Sequence, residues 1–356
     1  MDWRRFGIIA LVIIILFSAV VLIGKSQNSP IVIITSMLAT TIAVATPLTL
    51  GALCGIYCER AGVVNIGIEG MMLGAAFFGW LASIYMNTLF HFSLMPSVIV
   101  GVIVAVLTGG LFALLHAALS ITFKVDQIIS GTVINILAIG ITGFLNRQMF
   151  FGSGSVFGGN VPSAPGVLPS IRIPLLADIP TFGRMFDQQP ITIAALVLVF
   201  VTHYVMFYTR WGLRTRAVGE HPRAADTVGI NVIRMRYANV LIGGCLAGLG
   251  GAYFTLQSVP SFQPLMTNGR GFIALAAMIF GNWSPIGAWL AALVFGAAQA
   301  LQINLQFFRE LIPPQLAFLQ NAYVVGLAPY ILTMLILTGI VGKTIPPAAD
   351  GIPYEK

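Results

Sequence analysis

The chain has 356 residues, 58% of them hydrophobic and 8% charged, with a formal net charge of +7 at pH 7. A soluble domain carries about 25% charged residues, so most of this surface is not built to face water. The composition excludes a soluble globular enzyme and describes a polytopic membrane protein.

An apolar span needs roughly 20 residues to cross the hydrocarbon core. Ten candidates follow in order: 6–24, 31–53, 65–86, 95–121, 128–146, 190–209, 237–257, 263–281, 284–303 and 321–342. The first follows Trp3-Arg4-Arg5. Its apolar run exceeds the usual ~7–15 residues of a secretory signal and no A-x-A site follows, which predicts an uncleaved anchor. The eighth is short. Its continuous apolar stretch, Gly271 to Gly281, reaches only about 16 Å at 1.5 Å per residue, which predicts a half-helix or re-entrant segment.

Basic residues are retained on the cytoplasmic side. With the N-terminus inside, the inner segments hold Arg4, Arg5, Arg60, Lys124, Arg210, Arg214, Arg216, Arg223, Arg234, Arg236, Lys343 and Lys356, twelve of the eighteen. The positive charge is then mostly topology, and nothing calls for a nucleic-acid partner.

The stretch "NIGIEGMMLGAAFFGW" from Asn65 resembles "NGRGFIALAAMIFGNW" from Asn268. Laying Gly70 on Gly271 aligns Glu69 with Arg270 and pairs Ala75-Ala76 with Ala276-Ala277. The first stretch runs outward and the second inward, the pattern of an inverted-topology repeat with broken helices near the substrate path. The chain then divides into an anchor (1–30), a first membrane repeat (31–146), an outer loop (147–189), a sixth helix with a cytoplasmic coupling loop (190–236), a second repeat (237–342) and a cytoplasmic tail (343–356). Asn65 and Asn268 suit N-caps, and Glu69 in a first turn suits the helix dipole. Whether Asn65, Glu69, Asn268 and Arg270 cap helices or gate the path stays open. Gln257, Gln299 and Asn304 on or near the late spans are further candidates for the pathway, or equally for helix–helix hydrogen bonds. Gly244 and Gly248, four residues apart, predict close helix packing. The outer loop, with Pro162, Pro165, Pro169, Pro174 and Pro180, is a docking surface for an extracytoplasmic partner or a connector.

The longest inner loop carries "RAVGEHPRAADTVGIN", residues 216–231. Pro222 suits a first helical position and Gly229 a stop, so "PRAADTV" predicts a helix of about two turns. So short a helix hardly forms alone. Charged ends around small Ala224 and Ala225 fit the groove of a soluble partner better than a lipid surface, which calls for bulky anchors; Val228 and Ile230 are the nearest apolar residues.

Catalytic signatures are missing. Gly342-Lys343-Thr344 lacks the earlier glycine of a phosphate loop, since Leu337 stands there. His91, His116, His203 and His221 are scattered, which predicts packed or interfacial histidines, and Cys54, Cys58 and Cys245 have no C-x-x-C spacing.

"GLRTRAVGEHPRAADTVGIN" followed by "GGCLAGLGGAYF" resembles the cytoplasmic coupling region of permeases in the branched-chain amino acid, simple-sugar and nucleoside ABC importer superfamily. "ERAGVVNIGIEGMMLGA" and "GRGFIALAAMIFGNWSPIGA" look like its nucleoside-type branch, the smaller of two paired permeases served by a basic-membrane-lipoprotein type binding protein. The resemblance runs from about Leu48 to Leu293. It implies an all-α type II importer permease in a bacterial plasma membrane, with no cofactor of its own. ATP would be bound by a separate ATP-binding subunit. Glu220, His221, Pro222, Arg223, Ala224, Ala225, Asp226 and Gly229 would form the coupling helix that docks on that subunit. Here the tip reads Glu-His-Pro where the family pattern is Glu-Asn-Pro, which keeps a polar side chain and adds pH sensitivity. A ribose-like sugar or branched-chain amino acid permease is the neighbouring alternative. An ion-coupled secondary transporter and a membrane scaffold are the alternatives from other classes.

Overall fold

The computed structural model describes residues 30–151, 165–172, 183–307 and 344–355, with isolated positions between them. Ten helices are described: α1 Pro30–Glu59, α2 Ile68–Thr88, α3 Leu94–Ala117, α4 Gln127–Phe150, α5 Pro190–Tyr208, α6 Arg210–Glu220, α7 Pro222–Thr227, α8 Val232–Ala252, α9 Arg270–Phe280 and α10 Pro285–Phe307. α3 and α8 each run on into a π-helical turn, Ala118–Thr122 and Tyr253–Ser258. In the 147–189 loop a two-stranded antiparallel ladder pairs β1 Ile171–Arg172 with β2 Asp187–Gln188.

Seven helices among the described residues are long and apolar enough to cross a membrane. They correspond to the second to seventh and the ninth expected spans. The eighth is the 11-residue α9, too short to cross alone. Its limits are set by the backbone: Asn268 and Gly269 (φ 46° and 77°) precede it, and Asn282 and Trp283 (φ 53° and 52°) follow Gly281. Span 6–24 and, apart from isolated positions, span 321–342 lie outside the described residues, as does the 152–164 part of the loop.

α8 is the hub, and small residues are the reason. A side chain at Gly109 of α3 would meet the Gly244 carbonyl at 2.3 Å and the Gly248 Cα at 2.6 Å. Gly243 similarly faces Cys54 on α1, and Gly251 faces the Met72 carbonyl on α2. Where lipid is as apolar as the side chains, such close backbone approach supplies the dispersion that holds helices together. The buried core runs from Leu48 and Leu53 on α1 through Met71 and Ala75 on α2 to Val240 and Ala247 on α8. The outward faces of α3, α4 and α5 carry exposed Leu107, Leu111, Ile136, Phe144 and Phe200, as a lipid- or partner-facing surface does.

Candidate functional site

The polypeptide between α1 and α2 enters the apolar layer without helical hydrogen bonds, and side chains supply what the backbone lacks. Val64 N donates to Gln127 Oε1 at 2.7 Å, and the Val64 carbonyl lies 3.0 Å from His116 Nε2. Asn135 Nδ2 donates to the Ile66 carbonyl at 3.1 Å, while its Oδ1 accepts from Gly70 N at 2.7 Å. Irregular backbone is tolerated at membrane depth only when paired in this way. His116, with Ser130 Oγ at 2.9 Å on its other nitrogen, is the packed histidine the sequence suggests. Gly51, against which Ile68 packs, lies about 12 Å along α1 from its end at Glu59. That places the start of α2 well inside the span.

There the two look-alike stretches meet. Glu69, buried, accepts from the Thr267 hydroxyl at 2.6 Å and from Gly269 N at 2.8 Å on one oxygen, and from Gly271 N at 2.6 Å on the other. Its carboxylate therefore sits on the N-terminus of α9, where unpaired N–H groups and the helix dipole favour negative charge. Neither asparagine is the N-cap that the sequence suggests. The caps are Gly67 and Gly269. Asn65 instead accepts from Gly67 N two residues on, and Asn268 adopts a left-handed turn. A short amide bonds its own turn as readily as it caps a helix. Arg270 donates to the Met266 carbonyl at 3.1 Å and lies over the Phe254 ring at 5.3 Å.

The late-span candidates divide. Gln257 is a helix–helix tie: its Oε1 accepts from Ile191 N at 2.9 Å, and its Nε2 donates to Thr192 Oγ1 at 2.8 Å. Asn304 donates to the Ala300 carbonyl of its own helix at 2.8 Å. Gln299 keeps a buried side-chain oxygen with no hydrogen-bond partner among the described residues. Among the described residues no hydrogen bond brings these three to the Glu69 junction.

The far end of α9 is bolted to α1. Trp283 Nε1 donates to Glu59 Oε2 at 2.6 Å, and Arg60 Nε donates to the Trp283 carbonyl at 3.1 Å. The short helix is thus fixed at one end by Glu69 and at the other by Glu59 and Arg60.

Beside that end lies the charged loop. Thr209 caps α6, which ends at Glu220, and the chain turns at His221 (φ −139°, ψ 79°) into α7. Pro222 occupies the opening turn and Gly229 has φ 84°, as the sequence indicates. The two alanines lie on different faces, about 100° apart around the helix. Ala225 is buried with Val218, Val232 and Met235, whereas Ala224 is exposed together with His221 and Arg223. Glu220 Oε2 accepts from Ala348 N at 3.1 Å. Asp226 forms a side-chain hydrogen bond with Tyr354.

Those last contacts belong to the segment that the sequence reads only as a tail. Residues 344–355 cross the same face: Ile345 N donates to Asn282 Oδ1 at 3.2 Å, Ala349 N to the Gly219 carbonyl at 2.9 Å, and Arg236 Nη1 to the Ile352 carbonyl at 2.9 Å. Lys124 Nζ lies 2.9 Å from Glu355 Oε1 and holds that carboxyl below its ordinary range. Burial pushes the Asp350 carboxyl up to about 7, against opposing contributions from its hydrogen bonds to Glu59 and the Gly351 backbone and from Arg236.

The family model for the branched-chain amino acid transport system permease component matches residues 37–340. The chain is 42% identical to the guanosine ABC transporter permease protein NupQ of Bacillus subtilis, over 91% of this chain and 98% of that protein. It is 38% identical to the nucleoside ABC transporter permease protein NupC of Lactococcus lactis, over 90% and 96%. A second guanosine permease of Bacillus subtilis, NupP, is 26% identical over 74% of this chain and 73% of its own length.

Proposed function

The chain belongs to the branched-chain amino acid transport system permease family, and from that premise we propose that it is the membrane subunit of an ATP-driven nucleoside importer. The observation that carries the cargo is near-full-length identity to two relatives named for guanosine and nucleoside transport. The more distant guanosine permease supports pairing with a second permease. An extracytoplasmic binding protein delivers the nucleoside, and a separate ATP-binding subunit supplies the energy.

In this reading α7 is the coupling helix and the N-terminus lies in the cytoplasm. The head-to-head meeting of α2 and α9 at Glu69 supports the inverted arrangement of 31–146 and 237–342. Glu69 is then a joint between the halves rather than a group that touches cargo, because its oxygens already accept three hydrogen bonds. ATPase closure pushes α7, the push reaches the α9 end through the cytoplasmic contacts, and the path opens to one side at a time.

The test is uptake in proteoliposomes holding both permeases and the ATPase, with the binding protein outside. Guanosine or another nucleoside is expected to enter only with ATP inside. Uptake of ribose or a branched-chain amino acid but no nucleoside overturns the cargo, and uptake by this chain alone under an ion gradient overturns the class.

A further inference from the structure

The exposed face of α7 is one wall of a groove, and the other wall is residues 349–355. His221, Pro222, Arg223 and Ala224 face Ala349, Ile352, Pro353, Tyr354 and Glu355 across a space of about 660 Å³. The second wall is rigidly placed. Its backbone is bonded to Gly219 on α6 and to Arg236 on α8, its Glu355 is paired with Lys124, and Tyr354 packs beside Val218 and Ala225.

We propose that this groove is a single docking surface for the ATP-binding subunit, which grips residues 352–355 as well as α7. The proposal rests on the coupling reading of α7 and extends it to a segment 130 or so residues downstream. Three observations select this occupant. The groove is continuous with the exposed α7 face, so a protein seated on His221 and Ala224 meets Ile352 and Pro353 as well. Ile352 is 55% exposed and Val228 75% exposed, on the charged loop face and away from the apolar belts of α3 to α5, where no lipid tail would cover them. Arg223 lines the groove and Arg214 and Arg234 are exposed on the adjoining α6 and α8, while Glu355 is neutralised by Lys124. The face therefore suits a soluble partner with an apolar centre and an acidic rim, and the desolvated anchor expected of such an interface is Ile352.

The test compares Ile352→Glu with Ala224→Trp in the assembled transporter, reading ATPase retention by titration of the purified subunit. Ile352→Glu alters only an outward side chain and leaves the carbonyl that Arg236 binds. It is expected to weaken retention about tenfold, the loss of one well-buried contact, while Ala224→Trp abolishes it. Wild-type retention in Ile352→Glu with loss in Ala224→Trp overturns the groove and leaves the coupling helix standing. Wild-type retention in both overturns the coupling reading itself. Should Ile352→Glu fail to assemble, p-benzoylphenylalanine at position 353 decides. Cross-linking to the ATPase, identified by mass spectrometry, is expected, and cross-links confined to lipid or to either permease refute the proposal.

Discussion

Glu69 Oε2 accepts a 2.6 Å hydrogen bond from Gly271 N, across 202 residues of sequence. The same carboxylate takes two more donors from residues 267 and 269, so the beginnings of α2 and α9 share one anion. Hydrogen bonds to a charged acceptor contribute about 1.5–3 kcal/mol each. Glu69→Gln keeps the volume but turns an amide NH₂ toward at least one N–H or O–H donor. It is expected to cost about 3 kcal/mol, lowering the apparent thermal midpoint of the purified complex and reducing transport. An unchanged midpoint would show that α9 is held by something other than this carboxylate.

Legibility in the sequence followed the range of the interaction. Pro222, Gly229 and the short apolar run Gly271–Gly281 were readable because a fixed φ, a left-handed stop and a helix length are local properties. Laying Gly70 on Gly271 brought together the right stretches, yet the group that binds the start of α9 is the Glu69 carboxylate from the other stretch, a pairing no spacing rule anticipates. Asn135, whose amide serves both Ile66 and Gly70, carried no signal inside the unremarkable apolar run of α4. The 344–355 segment looked like no more than a cytoplasmic tail because its partners, Gly219, Arg236 and Lys124, are scattered over the chain.

Gly109 sits where α3 and α8 touch backbone to backbone. An added Cβ would lie 2.3 Å from the Gly244 carbonyl, a distance that forces the helices apart, and overpacking of this kind costs about 1–3 kcal/mol or more. Gly109→Leu is expected to lower both membrane yield and thermal midpoint, whereas Gly140→Leu, whose Cβ meets nothing within 4 Å, leaves the isolated subunit's midpoint unchanged. Equal midpoints for the two variants would refute the close crossing.

Ala224 and Ala225 are adjacent but lie on different faces, and bulky substitution separates the two jobs of α7. Ala225→Trp has to displace Val218, Val232 and Met235, so it is expected to destabilise the loop by about 1–3 kcal/mol, seen as faster proteolysis at residues 216–231. Ala224→Trp projects outward and is expected to leave proteolysis unchanged. The reverse pattern would mean that α7 is rotated by about 100° from the orientation described.

Asp350 makes the attachment of residues 344–355 dependent on pH. Burial raises its carboxyl from an ordinary 3.8 to about 7, with Glu59 and Arg236 as its ionisable neighbours. Between those two values the attached segment holds a proton that the detached segment has released. Attachment therefore weakens as pH rises through this window and levels off above it. Each pH unit inside the window is worth at most about 1.4 kcal/mol, discounted for the partial exposure of the side chain. Amide hydrogen exchange at Ala349 and Ile352, corrected for its intrinsic pH dependence, is expected to run roughly tenfold faster at pH 8 than at pH 5.5. Asp350→Asn, which cannot ionise, is expected to exchange at a corrected rate that does not change with pH. A wild-type rate that is flat across the window, or that falls as pH rises, would mean that the proton on Asp350 does not govern the attachment.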